Sequence, residues 1–160
     1  MTRNERRDAE SAEAGNAEKN WERSMSSENE PAFSEPDPQL SAVTGAIIGA
    51  AIEVHRHLGP GLDEAIYEEA MAVELMLRNI EFARQVIVRV PYKDRTVGEK
   101  RLDFIVAHQV VVELKAVELL SPLHKAQVRT YLRITGLRIG LLIKFNTLVL
   151  KDGIARIISS

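Results

Sequence analysis

Apolar residues recur every three or four positions in two stretches of the first half of the chain, which is the spacing of an amphipathic helix. The first stretch, residues 39–58, has Ser41 as a candidate N-cap and is expected to bury Leu40, Val43, Ile47, Ala51, Val54 and Leu58. The second stretch, about 63–79, follows a break at Gly59-Pro60-Gly61. Its expected buried stripe is Leu62, Ile66, Ala70, Val73 and Leu77. A different face would then carry Glu64, Tyr67, Glu68 and Met71.

The second half of the chain begins with patterns that are typical of strands. Residues 86–92 alternate between apolar and polar side chains, and a polar turn is expected at 93–98. Further strands are expected at about 99–106 and 110–114. Together these three strands would form a meander.

A third helix and a second group of strands follow. Ser121-Pro122 supplies an N-cap and a first helical residue, and Gly136 supplies a stop, so we expect a helix over 122–135. The apolar run 138–145 is too continuous for an exposed strand and predicts a central one. After it we expect a short strand, a turn and a final strand that ends at Ile158. The predicted element order is ααβββαβββ, an α/β fold.

The first 38 residues differ in composition from the rest of the 160-residue chain. They are rich in Glu, Ser, Asn and Ala, contain few large apolar residues and end among three prolines. Such a segment cannot bury enough apolar surface to offset the entropy lost on ordering. We therefore expect a disordered acidic tail over 1–38 and one domain over 39–160. Trp21 is a candidate partner contact, but an incidental solvated extension is the favoured interpretation of the tail.

The net charge of −2 conceals an asymmetry between these two parts. Residues 1–38 hold 5 Lys/Arg and 10 Asp/Glu, whereas residues 39–160 hold 16 and 13, a net charge of +3. A mildly basic domain is compatible with phosphate contacts, but +3 alone does not indicate a nucleic-acid partner.

The chain contains no cysteine, which excludes disulfides and thiolate metal sites and fits a cytoplasmic location. Residues 1–8 are not followed by an apolar signal core, and the uncharged stretch 40–52 is shorter than the roughly 20 residues that span a bilayer. We expect a cytoplasmic protein without a membrane segment, in which any metal is held by oxygen or imidazole.

The most informative segment places two acids and a lysine on one predicted hairpin. Asp103 ends one apolar run, and Glu113-Leu114-Lys115 ends the next. Because strand side chains alternate, Glu113 and Lys115 point to one side and Leu114 points to the core on the other. Pairing through the turn at 107–109 would bring Asp103 to the same patch. The alternative for Glu113 and Lys115 is a solvated ion pair at the end of a strand.

This set of groups has the chemistry that phosphodiester cleavage requires. Mg²⁺ prefers hard oxygen ligands and retains several waters, so Asp103, Glu113 and the Leu114 carbonyl are expected to form a partial site. Lys115 could orient the attacking water or help to deprotonate it. Glu64 offers a third carboxylate, with Glu68 and Glu69 as competitors; Glu68 shares its helix face, whereas Glu69 is rotated away.

Several polar residues have two interpretations at this stage. Tyr67 is either a site-facing hydroxyl or a core aromatic. His55 is expected to cap or support neighbouring groups and His57 to be exposed, while His124 either contacts phosphate or is a solvated residue of the first helical turn. Three arginines have two alternative roles, a phosphate contact or a surface salt bridge, and the salt bridge is favoured for each: Arg101, Arg129 and Arg133.

Gln127 and Tyr131 lie at i and i+4 on the helix after the hairpin, hence on one face. With Asp103, Glu113 and Lys115 they resemble the PD-(D/E)XK nuclease superfamily, in its branch with a QxxxY motif. Gly61-Leu-Asp-Glu64-Ala-Ile-Tyr67 is similar to the signature of the GxxExxY protein family within that superfamily. The resemblance runs from about Leu40 to Ile158, although Leu102 stands where the superfamily often has proline.

The resemblance implies a nuclease-like core with a mixed central sheet flanked by helices. It also implies that Glu64, Asp103 and Glu113 form the acidic metal site for Mg²⁺ or Mn²⁺, that Lys115 is catalytic, and that Gln127 and Tyr131 support substrate. The expected function is Mg²⁺-dependent hydrolysis of DNA, with a homodimer or protein partner helping to hold the duplex. The alternative is a catalytically silent module that binds nucleic acid or a protein.

Overall fold

The computed structural model describes residues 37–159. The predicted tail lies outside these residues except for Asp37 and Pro38. In chain order the elements are α1 (Pro38–Leu58), α2 (Glu64–Leu77), β1 (Phe82–Tyr92), β2 (Arg95–Val106), β3 (Val110–Lys115), α3 (Pro122–Thr135), β4 (Ile139–Lys144), a 3-10 helix (Leu150–Gly153) and β5 (Ile154–Ile158). Among the described residues, no helix is both long enough and apolar enough to cross a membrane.

The five strands form one mixed sheet in the order β1-β2-β3-β4-β5. All neighbours are antiparallel except β3 and β4, which are parallel and are connected through α3. One face of the sheet shares a core with α1 and α2, and the other face shares a second core with α3. The predicted α/β fold, with a mixed sheet flanked by helices, is confirmed.

The predicted order is wrong in one strand. The segment between β4 and β5, within the described chain, contains an irregular stretch and the 3-10 helix instead of a short strand. Its backbone bonds are local: Thr147 N donates to Phe145 O at 2.9 Å, and Asp152 N donates to Val149 O at 3.1 Å. Leu148 is 90 % exposed whereas Leu150 is buried, so the apolar residues of this segment do not line one strand face.

The first helix begins earlier than its predicted cap. Asp37, not Ser41, is the N-cap: its Oδ1 accepts a hydrogen bond from Gln39 N at 3.0 Å, and Pro38 occupies the first turn. Of the predicted stripe of α1, Leu40, Ile47, Ala51 and Val54 are buried, Val43 is partly buried, and Leu58 is exposed.

The predicted buried stripe of α2 is wrong. Of its members, Leu62, Ile66, Val73 and Leu77 are exposed, and the buried residues are instead Tyr67, Met71, Ala72 and Leu75. The Tyr67 ring stacks on Phe145 with ring centroids 4.5 Å apart, and its hydroxyl is hydrogen-bonded. Burying this large, polar-tipped ring therefore decides which face of the helix turns inward. The residues that share the inward side, Glu64 and Glu68, are thereby brought to its edge.

The β1–β2 hairpin is longer than predicted and changes face part-way along. Its turn is only Lys93-Asp94, because pairing continues to Tyr92 and Arg95. Phe104 packs in the core with α1 and α2, but Leu102, two residues away, packs in the core with α3. Residues two apart in a regular strand share a face. The change occurs at Asp103 and at its opposite residue Gln85, which has a positive φ of 52°.

We expect the close approach of α3 to β4 to be sensitive to one methyl group. A Cβ at Gly140 would collide with Val128 Cγ1 of α3. Gly140→Ala should lower the free energy of unfolding by about 1–3 kcal/mol, measured by urea denaturation, because the packed helix must move. Gly98→Ala is the matched control, since a Cβ there meets nothing within 4 Å, and it should change stability by less than about 1 kcal/mol.

Adding Val128→Ala to Gly140→Ala removes the colliding atom. The double variant should therefore lose less stability than the sum of the two single variants. Additive losses would show that this contact does not set the position of α3.

Candidate active site

Asp103 and Glu113 lie where strands β2 and β3 separate. The two strands pair only from Phe104–Val112 to Val106–Val110. Beyond this point, Leu114 N donates to Asp103 Oδ2 at 2.8 Å, and Asp103 N donates to Glu113 Oε1 at 3.0 Å. The two carboxylates thus replace the missing backbone ladder, each accepting from the opposite strand. Backbone amides hold one oxygen of each acid in a fixed position.

Burial makes this acidic pair difficult to ionise fully. Glu113 is 4 % exposed, and burial, followed by the charge of Asp103, raises its pKa to about 8. Burial also raises the pKa of Asp103 to about 6, with smaller contributions in the same direction from Glu68 and Glu64. The hydrogen bonds from the backbone and the charge of Lys115 act in the opposite direction for both acids. The site therefore favours a bound positive charge.

The oxygens of the pair suit a hard divalent cation. Among residues 37–159, hydrogen bonds to the pair use Oδ2 of Asp103 and Oε1 of Glu113, which leaves Oδ1 and Oε2 for a ligand. Carboxylate oxygens fit Mg²⁺ or Mn²⁺, which bind to few protein groups and keep several waters. In this part of the chain no group of three or more Asp, Glu or His residues is spaced to hold a metal ion. The fit is therefore that of a partial, two-carboxylate site.

Of the three candidate acids on α2, Glu64 is the one without an ion pair in the described chain. It is the first residue of α2, is exposed, and its charge raises the pKa of both Asp103 and Glu113. Glu68 Oε1 instead accepts from Arg84 Nε at 3.0 Å and from Gln85 Nε2 at 2.6 Å. Glu69 is exposed and pairs with Arg84 at 2.6 Å. Glu64 lies within electrostatic range of the pair but not in its hydrogen-bond network.

Arg84 and Gln85 were not among the residues predicted to support the site. Through Glu68 they tie β1 to α2 at the position where the hairpin changes face. The predicted strand began at residue 86, and nothing in the alternation before it indicated an ordered strand with a backbone irregularity.

Lys115 ends β3 on the same side as Glu113, as the alternation predicted, and Leu114 is buried in the opposite core. The lysine is half-buried, and its charge lowers the pKa of both acids. No ion pair within residues 37–159 involves Lys115. The alternative of a solvated Glu113–Lys115 ion pair is therefore wrong.

Gln127 and Tyr131 approach the acids from α3. Gln127 Nε2 donates to Tyr131 Oη at 2.9 Å. Tyr131 is almost fully buried; burial, and then the charge of Glu113, raises its pKa. The two side chains thus form a hydrogen-bonded unit beside Glu113.

The structure decides between the interpretations left open for Tyr67. It is a core aromatic, and its hydroxyl donates to Gly59 O at 2.6 Å and accepts from Leu62 N at 3.1 Å. These bonds fix the turn between α1 and α2. Tyr67 thereby positions the start of α2, where Glu64 lies.

The histidines have structural contacts. His55 Nε2 lies 2.7 Å from Thr147 O, and the exposed His57 pairs with Glu53. His124 Nδ1 accepts from Ser121 N at 3.0 Å and completes a capping box at the start of α3.

The expectation of surface salt bridges at three arginines is wrong. No ion pair in the described chain involves Arg101, Arg129 or Arg133.

The sequence of this chain matches a known protein family. A family model described as the PD-(D/E)XK nuclease superfamily matches residues 41–157. The chain belongs to the PD-(D/E)XK nuclease superfamily.

One solved structure, described as "Crystal structure of SSO0001", is similar at 17 % identity and a TM-score of 0.38. The alignment covers 71 % of this chain and 63 % of that one, so the chain spans less than two thirds of that structure. No curated protein sequence matches the chain.

The raised pKa of Glu113 predicts a pH-dependent stability. In the folded protein this pKa is about 8, against an ordinary value of 4.5, so folding takes up a proton between these pH values. The free energy of unfolding should be highest at the acidic end of this window and decrease as the pH rises through about 8. Glu113→Gln keeps an acceptor for Asp103 N but cannot ionise.

Urea denaturation between pH 5 and 8, in EDTA, tests this expectation. The wild-type protein should lose about 1 kcal/mol more per pH unit than Glu113→Gln. Parallel pH profiles would contradict the buried, protonated state of Glu113.

Proposed function

We propose that this PD-(D/E)XK superfamily member is a Mg²⁺-dependent nuclease that hydrolyses the phosphodiester bonds of DNA. The observation that carries the proposal is the Asp103–Glu113 pair, held at the separation of β2 and β3 beside Lys115. Two acids with raised pKa values are unfavourable for folding at neutral pH, which is expected where burial serves binding or chemistry.

In this proposal Asp103 and Glu113 hold Mg²⁺, or Mn²⁺, and Glu64 completes the acidic cluster. A divalent cation in such a site supplies charge stabilisation for the phosphate and lowers the pKa of bound water. Gly61, Glu64 and Tyr67 then have separate roles. Gly61, with a positive φ of 95°, permits the turn, Tyr67 fixes it by its hydrogen bonds, and Glu64 adds negative charge within electrostatic range of the pair.

Lys115 is the proposed catalytic residue. Its position two residues after Glu113 puts its ammonium on the side of the sheet that carries the acids, where it can orient the attacking water and take part in proton transfer. Gln127 and Tyr131 are the proposed substrate-supporting residues. Their mutual hydrogen bond holds the Gln127 amide at a partly exposed position, from which it can reach a phosphate oxygen.

We also propose a cytoplasmic location, which the absence of cysteine favours, and a second copy or protein partner during catalysis. The net charge of +3 over residues 39–160 is small for holding a duplex alone. A second subunit would double the number of phosphate contacts.

A cleavage assay on labelled single- and double-stranded DNA and RNA, with Mg²⁺, Mn²⁺ or EDTA, tests the function. Wild-type protein should cut DNA only with metal, and Asp103→Asn and Lys115→Ala should each lower the rate by at least about 100-fold. Arg138→Ala is the matched control. Arg138 is exposed and immediately precedes β4, so it lies at the end of that strand opposite to Lys144. Equal inactivity of wild type and variants, with no rise in melting temperature from metal, would favour the silent binding module.

Paired substitutions on α2 distinguish the third acid from its neighbour. Glu64→Gln should reduce cleavage and the metal-induced rise in melting temperature, with little change in stability without metal, because Glu64 is exposed and makes no ion pair in the described chain. Glu68→Gln should lower stability by about 1–3 kcal/mol, because it weakens the link to Arg84 and Gln85. The reverse pattern would assign the third-acid role to Glu68.

A further inference from the structure

The β1–β2 hairpin projects beyond the rest of the sheet. The hairpin arm, residues 87–101, pairs only with itself, because β2 first meets β3 at Phe104. Every residue from 91 to 101 is exposed. The six residues of β1 in the arm, 87–92, at about 3.3 Å each give an arm about 20 Å long. The arm ends at Arg101, two residues before Asp103, so it starts at the acidic pair.

The arm carries an excess of positive charge. It contains five cations, Arg89, Lys93, Arg95, Lys100 and Arg101, against two acids, Asp94 and Glu99. None of these cations belongs to an ion pair within residues 37–159. By contrast Arg84, just before the arm, is neutralised by Glu68 and Glu69. The cations on the arm are therefore available to an external anion.

A second basic surface lies on α3. This α3 stripe consists of three exposed residues at i, i+4 spacing, Lys125, Arg129 and Arg133. Helix α3 contains no acidic residue. Like charges at this spacing disfavour a helix by about 0.2–0.5 kcal/mol per pair. α3 packs against β1 as well as β3, and Val86 and Val88 of β1 share its core, so the α3 stripe and the base of the arm are neighbours.

Together these two elements hold all of the positive excess of the domain. Outside them, residues 39–160 contain eight Lys/Arg and eleven Asp/Glu. The small net charge of the domain therefore conceals a basic surface beside the acidic pair and an acidic remainder. A distribution of this kind favours a polyanion at the site.

We propose that the hairpin arm is a two-stranded ribbon that grips duplex DNA beside the Asp103–Glu113 pair, while the α3 stripe contacts the backbone of the same duplex. A two-stranded β-ribbon fits the major groove, which is about 12 Å wide. Cations along the ribbon then meet the phosphates that line the groove. This inference rests on the proposed function in taking DNA as the substrate, but it concerns binding and does not require cleavage.

The test uses the full chain, a fluorescent 20-base-pair duplex of mixed sequence and EDTA, so that binding is measured without hydrolysis. The arm variant is Lys93→Gln with Arg95→Gln, at the exposed tip. The control variant is Arg138→Gln with Lys151→Gln, which makes the same change in net charge at exposed positions outside the arm and α3 that, like the arm cations, belong to no ion pair within residues 37–159. Melting temperatures verify that both variants fold, and light scattering gives their masses.

The arm variant should bind about tenfold more weakly in low salt, and the slope of log Kd against log salt should fall by about 1 for each lost phosphate contact. The control should keep the wild-type slope, and the duplex should bind more tightly than a single strand of equal length. Wild-type affinity and slope in the arm variant would overturn the proposal, as would tighter single-strand binding. A change in mass without a change in DNA binding would assign the arm to a second copy instead.

The outcomes separate this inference from the proposed function. Duplex binding through the arm without metal-dependent cleavage would support the arm as a DNA-binding element and contradict the proposed nuclease activity. If the arm variant cleaves and binds DNA as the wild-type protein does, the result would support the nuclease activity and contradict the proposed role of the arm in binding.

Discussion

The separation of β2 from β3 is the constraint on which the site depends. Where two paired strands part inside a protein, their backbone amides lose partners, and an unpaired buried amide costs about 1–3 kcal/mol. Here the side chains of Asp103 and Glu113 accept from those amides. The same oxygen-bearing groups therefore close the sheet and form the candidate metal site. Replacing either acid with an apolar residue would damage both.

The change of face in the β1–β2 hairpin lets one hairpin serve two cores. Before Gln85 its inward side packs with α1 and α2, and after Gln85 it packs with α3. The positive φ at Gln85 is held by the link from Glu68, so α2 anchors the irregularity as well as carrying Glu64. Asp103 lies opposite this irregularity, between two regions of regular strand. Its position thus follows from packing on both sides of the sheet.

How much the sequence predicted depended on whether a pattern was local. Alternation within β3 correctly placed Glu113 and Lys115 on one side and Leu114 on the other, because a strand has only two faces. The buried face of α2 was predicted wrongly, because its aliphatic stripe and the face with Tyr67 were both candidates for burial. The choice depends on the stacking of Tyr67 on Phe145, which lies far along the chain. The hydrogen bonds of Glu68 to Arg84 and Gln85 join α2 to β1. Contacts between two elements produce no periodic pattern in the sequence, so these bonds were not predicted.

The exposed hairpin arm has a consequence for how the chain tolerates change. Its outer residues are exposed, so substitutions, insertions or deletions there carry little cost for folding, in contrast to Gly140 or Glu113. The sequence of the arm can therefore change with the molecule that the arm binds, because folding constrains it little. Related chains can be expected to keep the acids and diverge in this hairpin, so that one chemical centre acquires different preferences by exchange of a single surface segment.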